Sequence, residues 1–470
     1  MRLLPIAFAV AVALLLVACK SSSESDQTST PSPEPSLSSR ATASPVQSAT
    51  PDTEQPFPEL TPFSAELEAE LHEIRDRVSG IRGLPIHSAV EEGTLTTEAL
   101  EAYGRGQFDL LTEQEASNVA VFEAILPLLG LAPPGFSFED YVGEESNLID
   151  GLFYPAEDRL VLVGEPPVRL SISEELTIAH EYTHSLQDAA YDLETFFDQW
   201  VESDDEEDGY TTYRETLECL IEGDAELVRK LYAQSVYGPD WEDQLAAESA
   251  NGAPADFDIP EFLLNALYFN YSDCAVFVED LYNDGGWEAV NAAYENPPAT
   301  TEQVILIDKY YEREPAGEPR PENIDAMVVG WHEDEELAGQ WGMFDIYNYI
   351  VSRSANYFGA ISAADGWNHG WGRVFLRDSR EPGVVFEMTL GWDTASDRDE
   401  FTEAFDGVLD SHGVDPGDAY EDPRHGLWQT QDEFAQHGAI TLDDDGLRVR
   451  IIFAQDQATL DLFAQARLSQ

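Results

Sequence analysis

The 470-residue sequence predicts an α+β protein, a mostly helical body with a small sheet followed by a C-terminal α+β module. Three observations lead there. Apolar residues recur at helical spacing from Thr61 to Gly130 and again through the centre of the chain. Between these stretches, Gly151-Leu152-Phe153-Tyr154-Pro155, continuing through Arg159-Leu160-Val161-Leu162-Val163, reads as a strand or hairpin. Beyond Gly339 the pattern turns to strand pairs with helices between them.

Taken in order, the chain opens on Arg2 and an apolar run from Ile6 to Val17, closing with Leu16-Val17-Ala18-Cys19. This resembles the box that precedes the lipidated cysteine of bacterial lipoproteins. It predicts an export signal over residues 1–18 and not a spanning helix. Acylation of Cys19 would anchor the mature chain in the cell membrane on its extracytoplasmic face. Residues 19–55 are rich in Ser, Thr and Pro and nearly devoid of apolar side chains, so they cannot bury enough surface to fold and read as a tether. Globular patterning begins at about Pro56, which places a main domain at 56–338 and the module at 339–470.

The net charge of −68 argues against nucleic acid and anionic headgroups as partners, since both would be repelled. Lysine occurs only at positions 20, 230 and 309 against 92 Asp and Glu, a balance resembling proteins from saline surroundings. The acidic runs Glu202–Asp208 and Glu333–Glu336 lack the glycine and ligand spacing of an EF-hand and read as solvated loops.

Within the main domain, Glu66 to Val78 and Thr112 to Leu126 are the clearest early helices. Ser171 and Glu174 then form a capping box, after which Leu176, Ala179, Tyr182, Thr183 and Leu186 make a mostly apolar stripe. That helix contains His180-Glu181-Tyr182-Thr183-His184. Positions i and i+4 share a face, so both imidazoles can bind one tetrahedral zinc ion while Glu181 faces the water it activates. Glu181 is then the candidate general base.

A second helix is expected from Tyr213 to Tyr232, with Gly223 permitting close backbone approach. It holds Ile221-Glu222-Gly223-Asp224-Ala225-Glu226, and Glu218, Glu222 and Glu226 recur every four residues on one face, leaving the third ligand ambiguous from spacing alone. The pairing of a His-Glu-x-x-His helix with a Glu-Gly-x-Ala helix resembles the gluzincin metallopeptidases, in particular their bacterial peptidase-MA-like relatives, over about residues 78–400. That resemblance implies a zincin-like fold. It assigns His180, His184 and Glu222 as the metal ligands, and Glu226 as the acidic group behind a zinc histidine. It also implies that the strand at 151–155 is an edge strand able to pair with an extended peptide. Gluzincins commonly take an oxyanion donor from a later helix, which here makes Tyr271 the candidate and His369, in Trp367-Asn368-His369-Gly370-Trp371, its rival. At His369 the chain departs from the family's Gly-Trp-Gly-Gly-Asp-type run.

With Cys19 lipidated, Cys219 and Cys274 remain, either bridged across the third-ligand and Tyr271 helices or as two buried thiols. In the module, Arg373 to Arg377 and Val384 to Leu390 read as paired strands. Ser396 and Asp399 cap a helix through Leu409, and Ile440 to Leu442 with Leu447 to Phe453 suggest another hairpin. The function expected is that of a membrane-anchored zinc metallopeptidase, a hydrolase acting on peptide or protein substrates. The alternative is a catalytically inactive surface-binding lipoprotein on the same fold.

Overall fold

The computed structural model describes residues 55–468, with breaks of which the longest are 198–212, 250–257 and 413–424. The export signal, Cys19, nearly all of the tether and the acidic run at 202–208 lie outside the described residues. Among the described residues, no helix is long and apolar enough to cross a membrane.

The chain is α+β, with two sheets set among helices. The first sheet has strands β1 (Thr61–Pro62), β2 (Glu91–Leu95), β3 (Gly151–Tyr154) and β4 (Arg159–Val163), in the order β1-β2-β4-β3. β2 runs parallel to β4, and β3 pairs antiparallel with β4 on its other side, which leaves β3 at the edge. Sequence patterning missed β2. Its Glu-Glu-Gly-Thr-Leu run has no apolar alternation, and it is a strand because β4 offers it a partner.

Helices α1 (Ala65–Arg82), α2 (Thr97–Phe108), α3 (Glu113–Leu129) and α4 (Phe138–Glu145) occupy the N-terminal part. The helices that carry the two histidines and the row of glutamates follow: α5 (Ile172–Tyr191) and α6 (Tyr213–Tyr237). α5 starts as its sequence dictates. Ser171 Oγ accepts from the Glu174 N–H at 3.2 Å, while Glu174 accepts from the Ser171 N–H at 2.7 Å. Its stripe Leu176, Ala179, Tyr182, Thr183 and Leu186 is buried against α1, β4 and α6, at about 1.5–3 kcal/mol for each large apolar side chain. Tyr182 also donates its hydroxyl to Glu92 of β2, fixing the helix to the sheet.

Beyond α7 (Trp241–Ser249) come α8 (Glu261–Tyr271), α9 (Asp273–Glu295), α10 (Thr301–Ile305) and α11 (Ile307–Glu312). The C-terminal region has β5 (Trp331–Gln340), α12 (Met343–Ser354), α13 (Tyr357–Ala364), β6 (Trp367–Arg377), β7 (Val384–Trp392), α14 (Ala395–Ser411), β8 (His425–Gln429), β9 (His437–Leu442), β10 (Arg448–Ala454) and α15 (Gln457–Leu468). Its sheet has the order β5-β6-β7-β10-β9-β8, antiparallel throughout. One face (Val384, Phe386, Met388, Val449, Ile451) joins the main core with α3, α6, α8 and α12; the other (Phe375, Val385, Ile452) packs on Leu460 and Phe463 of α15.

Two local expectations are corrected. The cap of α14 is Thr394 with Asp397, two residues earlier than Ser396 and Asp399, because Thr394 is the residue that leaves the strand in extended conformation. The run Glu333–Glu336 is no loop: it lies in edge strand β5, where Glu333 takes the guanidinium of Arg373 on β6 at 2.7 Å. β5 opens at Trp331.

Candidate metal centre

α5 and α6 face each other over the histidines. His180 Nε2 and His184 Nε2 are 3.0 Å apart, and Glu222 Oε2 lies 3.2 Å from the first and 3.5 Å from the second. Tetrahedral zinc with ligand bonds of ~2.0–2.1 Å spaces its ligand atoms by about 3.3 Å. The triangle therefore matches one face of such a site, and the donor set of two imidazoles and a carboxylate suits zinc. These three residues are the one group of its kind among the described residues.

The three glutamates that share a face of α6 meet different partners. Glu218 is held by Arg214 at 3.0 Å, one turn away on its own helix. Burial, strengthened by the charge of Glu222, still pushes its carboxyl up to about 8. Glu226 puts Oε1 3.0 Å from His180 Nδ1, behind the ring, and is braced by Arg229 at 2.7 Å. Burial would raise its pKa, but His180 and Arg229 together hold it down at about 2. Glu222 likewise lies far below the usual carboxylate range, because both imidazoles outweigh its burial.

α6 can come this close to α9 only because residue 223 is glycine. A Cβ there would sit 2.2 Å from the carbonyl oxygen of Cys274 and 2.8 Å from Val278 Cγ2. Cys219 and Cys274 are bridged, with Cα atoms 4.9 Å apart, clamping the same crossing. Behind it, the buried Asp224 accepts from Arg82 of α1 and from Tyr294 of α9, both at 2.9 Å.

Glu181 is buried on the face toward β3 and accepts the backbone N–H of Phe153. Burial is the main reason that its carboxyl is raised above the ordinary value, against the pull of the two histidines. Gly151 brings the edge strand onto the helix, since a Cβ there would lie 2.5 Å from Thr177 Cγ2 and 3.2 Å from Glu181 Cγ.

Tyr271, at the end of α8, sits with its ring centroid 6.0 Å from that of His180. The charge of Glu222, and then desolvation of its hydroxyl end, raise its pKa well above normal, so it remains an O–H donor at neutral pH. His369 lies on β6, with its ring against Gly391 of β7 and Nδ1 3.0 Å from Asn368 Oδ1. It belongs to the second sheet and not to the helices that carry the cluster.

Sequence reading missed Gln187. Fully buried one turn after His184, it puts Oε1 2.8 Å from His184 Nδ1, and its amide nitrogen donates to the Ile221 carbonyl at 2.9 Å. A glutamine three residues past the second histidine was the available signal.

No curated protein and no solved structure matches the chain. Residues 327–464 match a family described as a domain of unknown function (DUF8575), a span that holds the second sheet and none of the residues of the His-His-Glu cluster.

Proposed function

We propose that this protein is a zinc-dependent peptidase of gluzincin type on a zincin-like domain, anchored through Cys19 on the extracytoplasmic face of the cell membrane. The observation that carries the catalytic reading is the convergence of His180 Nε2, His184 Nε2 and Glu222 Oε2 with Glu181 left outside the triangle.

Those three residues would hold a zinc ion, which when bound would act as a Lewis acid and make water available as a nucleophile near neutrality. The remaining work falls to the chain. Glu181, raised by burial, takes the proton from the attacking water and returns it to the leaving nitrogen. The edge of β3 not paired to β4 holds an extended substrate by backbone pairing. Tyr271 donates to the developing oxyanion.

The test is Glu181→Gln. Metal analysis should find close to one zinc per chain in both proteins, while turnover of an unstructured protein disappears in the variant and, under chelator, in the wild type. Cleavage that survives the substitution would sink the mechanism; binding without turnover in the wild type would favour the inactive lipoprotein.

A further inference from the structure

We propose that Gln187 is a positioning residue that selects which nitrogen of His184 faces the cluster, through the direction of its own amide. The inference rests on the reading of His184 as a metal ligand.

Oxygen and nitrogen of a side-chain amide have the same shape, so their partners decide which is which. Here one partner admits only one answer. The Ile221 carbonyl is an acceptor, and at 2.9 Å it must face the amide N–H. That turns Oε1, also an acceptor, toward His184 Nδ1 at 2.8 Å. Nδ1 therefore carries the hydrogen, which leaves Nε2 of the neutral ring bare, aimed at His180 Nε2 and Glu222 Oε2. Reversing the amide would turn Oε1 against the Ile221 carbonyl and replace that hydrogen bond by a repulsion whichever nitrogen of His184 carries the hydrogen, and Gln187 is fully buried with no access for water to relieve it.

The two histidines are thus backed in different ways. His180 leans on a carboxylate, Glu226, itself braced by Arg229. His184 leans on a neutral amide whose far end is tied to the backbone of α6 one residue before Glu222. Gln187 consequently couples the second ligand to the helix that delivers the third.

Two variants test this. Gln187→Leu removes both hydrogen bonds; Gln187→Glu keeps the acceptor facing Nδ1 and loses the donor to Ile221. In long-range ¹⁵N–¹H spectra of the zinc-loaded protein, wild-type His184 should bind through Nε2 with a protected Nδ1–H. Gln187→Leu should lose that protected proton and weaken zinc roughly 10–100-fold in chelator competition. Gln187→Glu should restore the proton signal and recover part of the affinity. An unchanged His184 signal in Gln187→Leu, zinc affinity within about twofold of wild type, or no recovered signal in Gln187→Glu overturns the proposal. If Gln187→Leu does not fold, the Gln187→Glu spectrum decides alone. A wild-type chain that takes up no zinc refutes the metal reading; its metal-free spectrum at alkaline pH, where the ring is neutral, then still shows whether His184 carries its hydrogen on Nδ1.

Discussion

Replacing Gly223 by alanine should harm both the fold and the metal site, although alanine is the better helix former by about 1 kcal/mol. The added Cβ would stand 2.2 Å from the Cys274 carbonyl oxygen, 2.7 Å from its carbon and 2.8 Å from Val278 Cγ2. Two of those atoms are backbone, so no rotamer change relieves the contact. α6 and α9 must part by about 1 Å, against a disulfide one turn away, and overpacking of that kind costs about 1–3 kcal/mol. The propensity gain offsets about 1 kcal/mol of this, leaving a loss of up to about 2 kcal/mol and, for a folded body of this size, a fall of up to roughly 2 °C in melting temperature. Glu222 is the adjacent residue, and its displacement should weaken zinc by an order of magnitude or more. Calorimetry and chelator competition measure the two effects. A Gly223→Ala protein that melts at or above the wild-type temperature with unchanged zinc affinity would show that the two helices do not cross this closely.

Other perturbations follow from the same geometry. Removing the Cys219–Cys274 bridge by paired serines releases a 55-residue separation, worth about 4 kcal/mol of chain entropy, and should lower the melting temperature as strongly as reductant lowers that of the wild type; insensitivity to both would argue against a bridge. Glu387, fully buried on β7, accepts from Arg467 of α15 at 2.7 Å and from Arg373 at 3.4 Å, so Glu387→Ala strands buried guanidinium groups and should cost about 3–5 kcal/mol by denaturant titration, whereas a loss under 1 kcal/mol would mean that water reaches them. Burial pushes the Glu145 and Glu302 carboxyls up to about 7 each. The folded chain then holds protons that unfolded carboxylates release near ~4.3, so the stability these two groups contribute is fully present below that value and is lost as pH climbs to about 7, by up to about 3 kcal/mol per group. Melting temperatures of the chelator-treated protein from pH 5 to 8 should decline; a rise across that window would refute the assignment.

Much of the candidate centre was legible because its determinants are local. The box of Ser171 and Glu174, the stripe from Leu176 to Leu186 and the four-residue spacing of His180 and His184 all lie within one helix, where neighbours in sequence are neighbours in space. The strands at 384–392 and 448–454 carried their own apolar signal for the same reason. β2 did not, since its two glutamates become strand residues only beside β4.

What the sequence by itself determined is therefore the helix that presents two imidazoles on one face with Glu181 beside them, and a second helix with a row of three glutamates. Which glutamate reaches the Nε2 atoms of both histidines was decided by tertiary structure. Glu218, Glu222 and Glu226 are equivalent by periodicity, and they differ only through the crossing at Gly223, the bridge to Cys274 and the arginines that claim the outer two. Tertiary structure likewise put Tyr271 beside His180 and left His369 in the second sheet. Periodicity orders side chains along an element, whereas a metal centre requires atoms from separate elements to meet within a few ångströms, and only packing sets that distance.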